Sequence, residues 1–192
     1  MLFRSAGMAH VGRVVPTAVG DRWLSVALAE AQTVGAIGVE DSGHLVLSWS
    51  LEEGGETWLV GDGAASLVAV LVAGLGRNAV PLPGGWKQRR SVAPSVRSRW
   101  TGEGPLTERV LATVQHHLPE ATDLRYGGLE HEPDLFRVEG RLDDACFSLG
   151  IRNSGTQAKT SISVRTDDPN LANEMEGLMT AVEAVLRPVL SP

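Results

Sequence analysis

Residues 63–75, GAASLVAVLVAGL, have helical spacing and no charged side chain. A helix on a protein surface pairs an apolar stripe with a polar face. Here Leu67, Val68, Leu71, Val72 and Leu75 form the stripe, and Val70 adds apolar surface on the other side. Such a helix needs cover on both sides, either from its own chain or from a partner. The sequence therefore reads as a protein that acts through packing and partner surfaces.

The residues before this helix frame it. Residues 21–33 place Leu24, Ala27, Leu28 and Ala31 on one face, which is helical spacing. Asp21 in the first turn favours the helix dipole, and Gly35 ends the run. Residues 36–39 and 45–49 are β-like and meet at Asp41-Ser42-Gly43. Asp bonds its own backbone there, and Gly accepts positive φ. Gly54-Gly55 makes a second turn before a short strand at 57–60. Asp62 is placed to cap the apolar helix, and Gly76 to stop it.

The character changes at 77–104, rich in Pro and Gly and read as a surface loop or linker. No Asp or Glu occurs between Asp62 and Glu103, while Arg77, Lys87, Arg89, Arg90, Arg97 and Arg99 fall in that interval. The net charge is −6, so the rest of the chain is strongly acidic and nucleic acid is not the obvious global partner. Trp86, Lys87, Arg89, Arg90, Arg97, Arg99 and Trp100 interleave charge and rings, a pattern that grips anionic single strands. It could equally contact an acidic protein, anionic lipid or the chain's own acidic halves, and a solvated or intramolecularly paired loop is the favoured reading.

Regular structure resumes at Pro105, suited to a first helical turn, with Leu106, Val110, Leu111, Val114 and Leu118 as the stripe. Three strands are expected at 135–142, 146–152 and 160–165. Asp168-Pro169 opens the final helix, whose stripe runs through Leu171, Met175, Leu178, Met179, Val182, Val185 and Leu186 until Pro188 ends it. The expected fold class is α+β: an antiparallel sheet with flanking helices, in two α-β-β-(β)-α halves. The expected divisions are a flexible extension 1–20, a first half 21–76, the basic loop or linker 77–104 and a second half 105–192, either separate from the first or in one domain with it.

The run Gly35 to Ser48, the helix bearing Trp23-Leu24, the Ala-rich helix 64–75 and the segment Asp167 to Met175 together resemble the roadblock/LC7 family. That resemblance implies a non-catalytic α/β homodimer that binds small GTPases or other signalling proteins. It would make Leu67, Val68, Val70, Leu71 and Leu75 a dimer or partner interface. The basic loop and following helix depart from the family pattern, which has a short connection there. A second resemblance, to secretion-chaperone-like folds, implies a dimer that holds extended partner segments.

Reactive chemistry finds little support. Gly61-Asp62-Gly63 lacks the Lys-Ser/Thr of a P-loop, and Asp62 would repel a phosphate. His10, His44, His116, His117 and His131 show no metal-ligand spacing, so neither metal nor cofactor is expected. Cys146, the single cysteine, excludes an internal disulfide and reads as a buried, inert thiol. Trp49 and Trp58 read as core packing, with an exposed docking surface as the alternative. No apolar run reaches the ~18 residues that span a bilayer, and Gly7, His10 and Gly12 interrupt any signal peptide. The expectation is a cytoplasmic, bacterial-type homodimeric regulator or scaffold, not an enzyme. The alternatives are a chaperone or adaptor, and a nucleic-acid-binding accessory protein that uses 86–100.

Overall fold

The computed structural model describes residues 15, 17–18, 20–31, 36–40, 44–50, 57–74 and 84–192. The fold is α+β, with four α-helices and two antiparallel sheets of three and five strands among the described residues. The chain divides into two units, within residues 13–81 and 82–192, each with its own sheet.

The first unit runs α1 (Asp21–Ala31), β1 (Ile37–Val39), β2 (Leu45–Ser50), β3 (Thr57–Val60) and α2 (Gly63–Gly74). The sheet order is β1-β2-β3, with Gly38 opposite Val46, Leu47 opposite Val60 and Trp49 opposite Trp58. Leu24 and Leu28 of α1 pack on Val46, with Ala36 and Leu59 at the margin. A Cβ at Gly38 would lie 3.0 Å from Leu24 Cβ, so glycine lets the helix approach the strand. Asp62 Oδ1 accepts from Ala65 N at 2.9 Å, the cap its position predicts for α2.

The second unit runs β4 (Trp86–Val92), α3 (Pro105–His117), β5 (Thr122–Leu129), β6 (Glu132–Leu142), β7 (Ala145–Asn153), β8 (Thr160–Thr166) and α4 (Ala172–Leu190). The sheet order is β4-β8-β7-β6-β5: a four-strand meander that β4 extends beside β8. Phe136, Val138, Phe147, Leu149, Ile151, Ile162 and Val164 form one buried sheet face. They pack with Val110 and Val114 of α3, and with Met175, Leu178, Met179, Val182 and Leu186 of α4. Each fully buried side chain of this kind contributes about 1.5–3 kcal/mol. The core of the second unit therefore far outweighs the Leu24–Leu28–Val46 cluster of the first.

The expected elements hold in outline, with four corrections. The stretch 77–104 is not all loop, because residues 86–92 form β4. A further strand, β5, lies between α3 and the three strands anticipated. The second half therefore does not repeat the first, and the two do not share one sheet. Finally, Pro188 lies within α4, two residues before its end. In the last turn its missing N–H removes one hydrogen bond without ending the helix. Pro169 opens a 3₁₀ turn, Pro169–Leu171, capped by Asp168. Residues 1–14, 16 and 19 of the expected extension, the turns at 41–43 and 54–55, the helix ends at Gly35 and Gly76, and residues 77–83 of the expected loop lie outside the described residues.

Candidate functional site

The basic, Trp-flanked segment is largely taken up by the fold. Strand alternation sends Arg90 toward α4, where it meets Glu176, Thr180 and Glu183 at 3.1, 3.1 and 3.3 Å. Arg97 donates to Ser154 O at 2.5 Å. Arg99 donates to Val189 O and Ser191 O at 2.9 and 3.0 Å, closing the C-terminal end of α4. Trp100 is 1% exposed, and its Nε1 donates to Asp134 O at 2.7 Å. Trp86 is half-buried against the core. The seven residues therefore do not gather into one anion-binding surface.

Lys87 and Arg89 project to the sheet face opposite α4. There the register aligns Lys87 with Arg165, Ser148, Glu139 and Arg125 across successive strands. The next row aligns Arg89 with Ser163, Gly150, Arg137 and Gly127. Acids offset part of this charge: Arg137 lies 3.6 Å from Glu139, and Arg152 lies 3.6 Å from Glu132.

The apolar helix has a different fate. Leu67, Val68, Leu71 and Val72 of α2 are 59, 59, 56 and 64% exposed. The expected interface set thus lies open at Leu67, Val68 and Leu71. The Val70 side chain and Leu75 lie outside the described residues. The sheet of the first unit also exposes Ile37, Val39 and Trp58. Their positions alternate with Gly38 and Leu59, which meet α1, so these side chains form the sheet's other face. Trp58 is therefore surface rather than core.

Three polar side chains converge nearby. His44 Nδ1 lies 3.3 Å from Asp21 Oδ1 and 3.3 Å from Glu40 Oε2. Asp21 starts α1, while Glu40 and His44 flank the β1–β2 turn, where Glu40 N donates to His44 O at 2.9 Å. Beside them a cleft of about 480 Å³ is lined by Asp21, His44, Leu45, Gly61, Gly63, Ser66 and Leu67. Spacing could not reveal this trio, because its members belong to different elements. The one local cue is Glu40 and His44 on either side of a turn. Elsewhere His116 and His117 end α3, exposed, and His131 lies 3.7 Å from Glu130.

Cys146 is half-buried, not enclosed. Burial, followed by the charge of Asp167, pushes its thiol up from the ordinary value, with Arg141 opposing. Its Sγ lies 3.8 Å from Arg141 Nη1, and its backbone N donates to Asp167 Oδ1 at 2.8 Å. A raised thiol pKa is the reverse of what a nucleophile needs.

No protein-family model matches the chain, and no curated protein matches it significantly in sequence. No described helix is long and apolar enough to cross a membrane.

Proposed function

We propose that the protein is a non-catalytic regulatory or scaffold module that works through protein–protein contacts, with α2 as its docking helix and a second copy as the first partner. The observation that carries this reading is the stripe Leu67, Val68, Leu71 and Val72, each more than half exposed on a helix without charge. Contiguous exposed apolar surface of this kind marks interaction sites. The roadblock-like hairpin and helix add a signalling partner, such as a small GTPase, to the reading. Light scattering coupled to size-exclusion chromatography tests the first partner: a dimer is expected, and a strict monomer at high concentration overturns it. A pull-down against small GTPases in GTP and GDP states tests the second.

A second reading is favoured by the rows of Lys87, Arg89, Arg165, Arg137 and Arg125 on one sheet face of the second unit. It makes that face a contact for a polyanion such as single-stranded nucleic acid. Affinity must then fall steeply with salt and drop further on Arg89→Glu. A flat salt dependence removes it.

A further inference from the structure

We propose that Asp21, Glu40 and His44 bind a divalent transition-metal ion of the zinc type, at a site that opens onto the cleft beside α2.

The distances are compatible with coordination. A charge-assisted N–H to carboxylate bond is typically ~2.7–2.9 Å. His44 Nδ1 is instead 3.3 Å from each of two carboxylates. Metal–ligand bonds of ~2.0–2.1 Å in a tetrahedron separate neighbouring ligand atoms by ~3.3–3.4 Å. All three donor atoms lie within 4.8 Å of one another. One imidazole nitrogen with two carboxylate oxygens suits zinc and its borderline neighbours. Calcium and magnesium favour oxygen-only shells with more ligands.

The surroundings supply the rest of a site. Glu40, with its side chain 16% exposed, is the most buried of the three, while Asp21 and His44 are open to solvent. Three protein ligands leave a fourth position, the pattern of a metal that takes water or a small ligand. Ser66 lines the adjoining cleft, is only 7% exposed, and its buried Oγ has no hydrogen-bond partner among the described residues. A buried hydroxyl left unpaired is costly, so the cleft that Asp21 and His44 also line holds a polar atom open to a ligand or water. Leu67 lines the same cleft and also belongs to the exposed α2 stripe. The metal site therefore adjoins the surface proposed for docking, although it does not depend on that proposal.

The test is calorimetric titration of the chelator-treated full chain with zinc chloride. One equivalent is expected to bind saturably. Glu40→Gln and His44→Gln are each expected to weaken binding by at least the ~10-fold that loss of even an outer-shell partner costs. Cys146→Ser is expected to leave it unchanged. Absence of saturable binding at millimolar zinc, retention of binding in His44→Gln, or its loss in Cys146→Ser overturns the proposal. Should a variant not fold, cobalt(II) on the unaltered chain decides. Tetrahedral d–d bands without a thiolate charge-transfer band support the site; a thiolate band, or no cobalt spectrum, overturns it.

Discussion

Arg90 Nη1 lies 3.3 Å from Glu183 Oε2, which ties the edge strand β4 to helix α4. Arg90 also reaches Glu176, and Glu183 also pairs with Arg187. The members are partly exposed, so solvent screening discounts the network. Arg90→Met is expected to cost about 1 kcal/mol, less than a buried charged hydrogen bond. Urea unfolding read as a midpoint shift checks this.

The same network sets an acid dependence. The hydrogen bond from Arg187 is the largest cause holding Glu183 below the usual carboxylate range; burial opposes it and Arg90 adds to it. A carboxylate depressed in the folded state contributes stability that is complete above its unfolded value. That contribution is lost as pH falls through the folded value. Stability of the second unit should therefore decline on the acid side, and Arg187→Ala should flatten that decline. Unfolding midpoints measured from neutral pH down to about pH 3 read it.

Trp100 fills the core edge-on to Phe136, with ring centroids 6.5 Å apart. Trp100→Ala is expected to cost about 3–5 kcal/mol. Trp100→Phe should cost less, since it keeps most of the volume but leaves the Asp134 carbonyl without its indole donor. Denaturant unfolding of the two variants side by side separates volume from hydrogen bond.

Gly140 of β6 sits opposite Phe147 of β7. A Cβ there would lie 2.9 Å from Phe147 Cε1 and 2.8 Å from Leu124 Cδ2. Gly140→Ala should overpack the sheet and cost about 1–3 kcal/mol, visible as a lowered thermal midpoint.

Because its thiol is raised by burial and by Asp167, Cys146 should react slowly with iodoacetamide at neutral pH. Asp167→Asn should move the rate–pH profile to lower pH. An alkylation rate equal to that of a free cysteine would contradict this.

Leu67→Asp with Leu71→Asp should shift the proposed dimer toward monomer. Both side chains are more than half exposed in the single chain, so the protomer's secondary structure should be retained. Circular dichroism and light scattering on one sample check both outcomes.

The amino-acid order by itself determined the elements whose signal is local. The stripes of α3 and α4 follow helical spacing, Asp62 and Asp168 cap where their carboxylates can reach free N–H groups, and the apolar alternation of β6 and β8 marks strands with one buried face. The two strands that were not legible, β4 and β5, are the two edges of the five-stranded sheet. Edge strands carry charge and glycine that discourage further pairing, so WKQRRSV and TDLRYGGL lack the apolar alternation of an inner strand. Only the tertiary structure decided that β4 joins β8, and with it that Arg90, Arg97, Arg99 and Trp100 bond within the chain. It likewise brought Asp21, Glu40 and His44 together. Such convergence depends on how separate elements pack, and packing is a property of the whole fold that no spacing along the chain records.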